Sequence, residues 1–397
     1  MSLVGPDSLR ASPSGFFNET GTVEAPHILL VTNDQRWDLA VREAAGRDGS
    51  VVESVSAHDA IVRVARTEPR LSHVLVEPGA MNGLLDVLLD LTSDIASAGT
   101  ELVLLGEPAT DDAAVISAPG ADLVAASLAN RSARSSHGQP GLLASELRDV
   151  IDGRMIDTRY QPIVRIADRR VASMEVLARL RHPVHGMLAP DWFVARFEEA
   201  GLSTALTDFV STRALADLNG LGLEGLDLAL ALNYPLRVLT HPSAAAKLDD
   251  LRASLGLAAS RIHIELTESR PVDDFAALGR SLDHLRTLGY RVSIDDAGPA
   301  VPNIERLMDL PFTGMKLDKS TVRMIGAQGK ARTYVLDLIG RALRRDMVIV
   351  AEGIETEETW HDVRGLGVQE AQGYFVARPL PAAAVRMWLE HWNQAAA

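Results

Sequence analysis

A set of polar side chains recurs at one kind of place in the second part of this chain, at or near the C-terminal end of an apolar run. They are Glu175, Asn233, Glu265 with Glu268, Asp295 with Asp296, Lys316, Glu352 and Gln372. Taken singly each has an ordinary reading. A glutamate at a strand end is usually a solvated cap, an Asn before Tyr-Pro is usually turn chemistry, and Asp-Asp before Ala-Gly is usually a loop. Their recurrence at matching positions is what points to a joint site. Carboxylates brought together repel one another and stay ionised only when something positive sits between them. Carboxylates, one carboxamide and one ammonium make a hard-oxygen set that suits Mg²⁺ or Mn²⁺ rather than zinc. Adjacent acids such as Asp295 and Asp296 can hold two ions close together, and such a pair activates water and stabilises in-line displacement at phosphorus.

The elements that would position these residues follow from the apolar pattern. RYQPIVR, SMEVLARL, LDLALALN, RIHIELTE, RVSIDDAG, GMKLDKS, MVIVAEGIE and EAQGYFVARP read as strands. Most are separated by stretches of helical spacing. One is DDFAALGRSLDHLRTLG, with acids at its start and Gly289 at its end, as the helix dipole and C-cap favour. Another is ARTYVLDLIGRALRRD, basic in its last turn. Eight strands with intervening helices over about 230 residues predict an α/β fold, a (β/α)8 barrel of the TIM type. The first two runs are joined only by the short IADR, which predicts a hairpin and so an antiparallel first strand. In such a barrel the C-terminal strand ends converge on one face, where these folds keep their active sites.

The chain has 397 residues, more than one ordinary core holds. The first 25 residues, rich in Ser, Gly and Pro, read as a tail. Over residues 26–128, HILLVTND, SVVESV, SHVLVEP, ELVLLGE and ADLVAA alternate as strands with helical stretches. This predicts a doubly wound α/β domain. Residues 129–156 read as a polar linker followed by a connecting helix in LLASELRDVIDG, and the barrel is predicted over 157–397. No apolar run reaches the length of a membrane span, and the N-terminus lacks the pattern of a signal peptide. The absence of cysteine excludes disulfides and thiolate metal sites and fits a reducing cytoplasm. A net charge of −14 argues against a partner in duplex nucleic acid, yet leaves room for a small phosphorylated ligand held with a divalent cation.

The motifs give this pattern a specific resemblance. From about Asp157 to its end the chain resembles the EAL-domain cyclic di-GMP phosphodiesterases. The signature is Glu175-Val176-Leu177-Ala178-Arg179, with Val in place of Ala. YQPIV begins at Tyr160, IELTE at Ile264, IDD at Ile294, KLD at Lys316, AEGIET at Ala351 and QGYFVARPL at Gln372. The resemblance implies that Glu175, Asn233, Glu265 and Asp295 hold a first metal. Asp295 would bridge to a second ion held with Asp296, and Glu352 would lie beside the pair. Lys316 would orient or polarise the attacking water, Arg179 would clamp a substrate phosphate, and Gln161, Leu177, Glu355 and Gln372 would hold the dinucleotide. The implied reaction is hydrolysis of cyclic di-GMP to linear pGpG with two Mg²⁺ or Mn²⁺ ions, in a homodimer.

The loop after Asp295 departs from the family. It reads Asp296-Ala297-Gly298-Pro299-Ala300-Val301-Pro302-Asn303 in place of Asp-Phe-Gly-Thr/Ser-Gly-Tyr-Ser-Ser. In the family this loop helps fix the metal-binding acids, borders the dimer interface and is anchored by the residue corresponding to Glu268. Ala300 removes a residue free to take positive φ, and the two prolines each delete an N–H donor. The resemblance therefore implies either a phosphodiesterase or a cyclic di-GMP receptor with little turnover. A scaffold that has lost the ligand is disfavoured by Glu175, Arg179 and Gln372. The N-terminal domain resembles a response-regulator receiver without its chemistry. Its first strand runs into Asn33-Asp34, its third ends at Glu77 where a phosphoacceptor Asp is expected, its fourth at Gly106, and its fifth at Ala125-Ala126 without a Lys. It is expected to dock a protein partner or signal rather than to be phosphorylated.

Overall fold

The computed structural model describes residues 16–17, 23–24, 27–66, 71–95, 100–106, 114–116, 144–182, 186–220, 228–267 and 271–396. The chain divides into two compact units, one of residues 1–60, 69–85 and 96–133, the other of 61–68, 86–95 and 134–397.

The first unit is built on a parallel five-stranded sheet of β1 (His27–Val31), β2 (Val51–Ser54), β3 (Leu71–Val76), β4 (Glu101–Leu105) and β5 (Ala114–Ile116), in the order β2-β1-β3-β4-β5. That order is doubly wound, as the strand-helix alternation predicts. The fifth strand, however, is Ala114–Ile116. The ADLVAA run predicted for that place lies outside the described residues. Helix α1 (Gln35–Asp48) starts at Asp34, whose side chain accepts from the Arg36 N–H at 2.8 Å, and ends on Gly49 at φ 80°. Its Trp37, Val41 and Ala44 pack on Ile28, Leu30, Leu75, Val103 and Leu105. At the end of β3 the Glu77 carboxylate accepts from the Thr32 hydroxyl at 2.6 Å and the Asn33 N–H at 3.0 Å.

The second unit is the barrel. Its strands are β6 (Ile156–Arg165), β7 (Val171–His182), β8 (Ala229–Pro235), β9 (Ile262–Thr267), β10 (Arg291–Ala297), β11 (Gly314–Leu317), β12 (Val348–Ala351) and β13 (Glu370–Gln372). Each of β7 to β13 pairs in parallel with the next. The circle closes through β6, antiparallel to both β7 and β13. The predicted hairpin is therefore present, and the first strand runs against the rest. Helices wrap the outside, as in α6 (Phe275–Thr287). It starts at Asp274, whose carboxylate accepts from the Ala277 N–H at 2.8 Å. The helix predicted within LLASELRDVIDG is α4 (Ala144–Asp152), and its Leu147 and Val150 pack with Ile156, Leu180, Phe193 and Phe197. Three further helices are α2 (Ala57–Ala65), α3 (Leu85–Ile95) and α5 (Ser203–Gly220). Among the described residues no helix is long and apolar enough to cross a membrane.

Candidate active site at the barrel mouth

Alternation along each strand decides which side chains enter the barrel. Gln161 of β6 lies opposite Glu175 of β7, and Asn233 of β8 is in register with Glu265 of β9. Lys316 comes from β11, Glu352 follows β12, and Gln372 ends β13. The strand ends thus bring together residues separated by up to 211 positions in sequence, as in the Gln161–Gln372 hydrogen bond.

Lys316 is the centre of the cluster, only 1 % exposed. Its Nζ lies 2.6 Å from Glu352 Oε1, 3.0 Å from Glu265 Oε2, 3.0 Å from Asp295 Oδ1 and 3.2 Å from Glu175 Oε2. A chain of amides fixes Glu175 from the other side. Gln372 Nε2 donates to Glu175 Oε2 at 2.7 Å and to Gln161 Oε1 at 3.2 Å, Gln161 Nε2 donates to the Ala377 carbonyl at 3.1 Å, and Asn233 Nδ2 donates to Glu175 Oε1 at 3.0 Å. Glycine at position 373 makes the turn after Gln372 possible. A Cβ there would lie 2.8 Å from the Ile354 carbonyl carbon, closer than real side chains approach.

Successive residues of a regular strand face opposite ways, so Asp295 and Asp296 would not both reach one site. Here the β10–β11 register shifts between Ile294 and Ala297, and Asp296 takes φ 51°. This bulge lets both acids line one cleft, Asp296 the more exposed of the two. Carboxylate oxygens of Asp295, Asp296 and Glu352 then all lie within 4.8 Å of one another.

The electrostatics follow from five acids sharing one ammonium. Burial would raise the Glu175 carboxyl, but the Lys316 charge and the amide hydrogen bonds hold it below the usual range. Burial raises Glu265 well above that range and also raises Asp295, in both cases against the pull of Lys316 and with the help of neighbouring acids. Burial, then the Asp295 charge, pushes Asp296 up to about 6. Glu352 is pushed up to about 8 by burial, with Lys316 opposing and Asp295 adding. Burial disfavours the Lys316 ammonium, but the four acids around it outweigh this and keep it charged well above its ordinary range. One cation therefore does not neutralise the cluster. Asn233 Oδ1 is buried with no donor, a carbonyl oxygen left open beside carboxylates. Surplus negative charge and an open hard-oxygen ligand fit divalent cations.

The cluster floors a cleft of about 660 Å³, a size usual for ligand sites. Gln161, Glu175, Leu177, Asn233, Asp295, Asp296, Lys316, Glu352, Glu355 and Gln372 all line it. Glu265 lies beneath, 2 % exposed, reached through Lys316. Arg179 is buried, donates to the Ala178 carbonyl at 3.0 Å, and is absent from the cleft lining. Glu268 lies outside the described residues. Asp191, Glu198 and Thr207, from the segment after β7, and Lys319 and Tyr374 also line the cleft, and none of the five belongs to the polar set that the sequence marks at strand ends. Lys319 had a readable signal, since Asp318 before Lys319-Ser320 is a helix start: the Asp318 carboxylate accepts from the Ser320 N–H at 2.8 Å.

The family model described as EAL domain matches residues 144–379. The chain belongs to the EAL-domain family. Its EAL domain is 35% identical over 246 residues to an uncharacterized signaling protein of Caulobacter vibrioides, covering 62% of this chain and 30% of that protein. It is 34% identical over 230 residues to the cyclic di-GMP phosphodiesterase PA2567 of Pseudomonas aeruginosa, covering 58% of this chain and 39% of that protein. The match thus spans roughly a third of each of these relatives. Among solved structures it resembles the PaMucR phosphodiesterase in complex with c-di-GMP, at 26% identity and a TM-score of 0.56, over 61% of this chain and 98% of that one.

Proposed function

We propose that the protein hydrolyses one phosphodiester bond of cyclic di-GMP, releasing linear pGpG, in bacterial second-messenger signalling. The observation that carries this reading is the convergence of Glu175, Glu265, Asp295 and Glu352 on Lys316, with Asp296 beside them, at the floor of an open cleft. The names of the relatives support the substrate. Glu175, Asn233, Glu265 and Asp295 are the residues that would hold one Mg²⁺ or Mn²⁺ ion, and Asp295 with Asp296 a second. When bound, such ions lower the pKa of water and stabilise charge on a phosphoryl group.

The chain's own residues do the rest by position and charge. Lys316 stays protonated and so acts as a donor, orienting the attacking water and facing negative charge that grows on the phosphoryl oxygens. Glu352, in its carboxylate form at the surface of the cluster, accepts the proton the water gives up as its oxygen bonds to phosphorus, while the P–O bond to the ribose breaks and the departing ribose oxygen takes up a proton from solvent. Gln372 and Asn233 keep Glu175 ionised and in place. Gln161, Leu177, Glu355 and Gln372 hold the dinucleotide. The phosphate clamp assigned to Arg179 rests on the signature alone, since this side chain does not line the cleft. A homodimer and a protein or signal docking on the first unit belong to the same proposal.

The test is direct. Purified protein incubated with cyclic di-GMP and Mg²⁺ or Mn²⁺ is expected to yield pGpG on chromatography. Binding without product under either ion would replace the enzyme with a receptor, in keeping with the altered segment 296–303. No binding at all would remove both.

A further inference from the structure

We propose that Thr321 is a positioning residue for Asp296, acting through Gly298, whose missing side chain leaves the space that the Thr321 hydroxyl fills. The inference rests on the reading of Asp295 and Asp296 as holders of a second divalent cation. Thr321 lies on a short helix, α7 (Lys319–Arg323), that follows β11. The helix is fixed at its start, where the Asp318 carboxylate accepts from the Ser320 N–H at 2.8 Å and the Asp318 carbonyl from the Val322 N–H at 2.9 Å. Thr321 is 0 % exposed, and its Oγ1 is buried without a hydrogen-bond partner. A hydroxyl left unmet in the interior is destabilising, so its presence there calls for a reason.

Gly298 supplies the reason. A Cβ built on Gly298 would overlap Thr321 Oγ1, yet it would meet Thr321 Cβ at an ordinary 3.6 Å and the Asp296 carbonyl oxygen at 3.8 Å. Gly298 does not have positive φ, so its backbone conformation does not itself call for glycine. Glycine is needed there because of the hydroxyl opposite. What this contact holds is the path out of the bulge. Asp296 takes φ 51°, a left-handed conformation that persists in a non-glycine residue only where its surroundings enforce it. Directly after it, Ala297 is fully buried and in register with Leu317 of β11. Gly298 comes next, seated on Thr321, and its carbonyl accepts from the Val301 N–H at 3.1 Å. The two residues that follow Asp296 are thus gripped in turn, one by strand register and one by a hydroxyl fitted into a hollow. Loosening the second grip frees the Asp296 backbone and takes its carboxylate away from those of Asp295 and Glu352.

The experiment is calorimetric titration of the full chain with Mn²⁺, without nucleotide, for Gly298→Ala, Thr321→Ala and the double variant. Each single change is expected to weaken the second ion by about 10-fold or more, the usual cost of disturbing a residue that orients a metal ligand, and to leave the first ion unchanged. The two act by opposite means, overlap in one and empty space in the other. In the double variant the new Cβ at position 298 enters the space the hydroxyl has left, and binding of the second ion is expected to return close to the wild-type value. A double variant as weak as Gly298→Ala would overturn the proposal, since glycine would then serve something other than the hydroxyl. So would single variants that bind both ions as wild type does while only their urea midpoints fall, because the contact would then hold the fold and not the acid. If Gly298→Ala does not fold, Thr321→Ala, which introduces no overlap, carries the test alone, and unchanged binding of its second ion would overturn the proposal. Wild-type protein that takes up fewer than two Mn²⁺ ions would remove the two-ion reading itself, a result distinct from a two-ion wild type with indifferent variants.

Discussion

Replacing Lys316 by Met tests the electrostatic account of the site most severely. The side chain is 1 % exposed, and its ammonium lies within 3.2 Å of four carboxylates on four different strands or strand ends. Met fills nearly the same volume, so packing is preserved and charge alone is removed. Formally, five acids counting Asp296 against one ammonium leave four negative charges, and without the ammonium five. Removing one partner of a buried ion pair costs about 3–5 kcal/mol. In EDTA the barrel's urea midpoint is therefore expected to fall by an amount equivalent to about that loss. Mn²⁺ is expected to give most of it back, because a cation that binds the folded state at 1,000 times its Kd stabilises by about 4 kcal/mol. The variant should gain more from Mn²⁺ than wild type does, since its cluster is the more negative. Hydrolysis in Mn²⁺ is expected to drop by about 10²–10³, the usual cost of losing one charged donor at a reacting phosphoryl or acyl group. A variant with the wild-type midpoint in EDTA, or with no extra gain from Mn²⁺, would refute the claim that Lys316 neutralises the acids.

Other consequences can be measured in parallel. Glu175→Ala removes the acceptor of three donors, from Lys316, Gln372 and Asn233. It should abolish pGpG formation while circular dichroism stays unchanged, and retained activity would show that the ligand set is wrong. Gly373→Ala places a Cβ against the Ile354 backbone and should cost about 1–3 kcal/mol of stability, with a loss of turnover through the displaced Gln372. Glu370 is raised by burial, with Arg291 and Arg165 opposing. A raised folded pKa gives stability that is whole below the unfolded value and is lost as pH rises through the folded one. Glu370→Gln should therefore raise the urea midpoint more at pH 8 than at pH 5, and an equal effect at both would contradict this. Acetyl phosphate should leave residues 27–128 unmodified by intact-mass measurement, since the Glu77 position offers no phosphoacceptor Asp.

The barrel was legible because its signal is simple. Apolar runs bounded by helical stretches set the strand count, and a connection as short as IADR admits only a hairpin. Most site residues were legible for a related reason, since strand ends of a barrel converge and hard-oxygen side chains recur there. The bulge at Asp295-Asp296 was not, because a non-glycine residue at φ 51° is a local departure that periodicity cannot report. The amide chain from Ala377 through Gln161 and Gln372 to Glu175 was also invisible, because it links strands whose adjacency exists only once the barrel closes. The strand Ala114–Ile116 has three residues, too few for an apolar period to register, while ADLVAA lies outside the described residues. Lys319 read as the end of the KLDKS strand, whereas the strand stops at Leu317.

The antiparallel strand β6 has a consequence for how the molecule comes into being. It pairs with β7 immediately after it and with β13 some 200 residues later. A nascent chain can form the hairpin early, yet Glu175 waits for Gln372, 197 positions away, before its last ligand-orienting partner arrives. Loop closure of that length is entropically slow to find, and the acids around Lys316 crowd together only when it succeeds. Assembly of the carboxylate cluster is thus timed to completion of the domain, so a truncated or stalled product would carry the Glu175–Arg179 motif without the partners that fix Glu175.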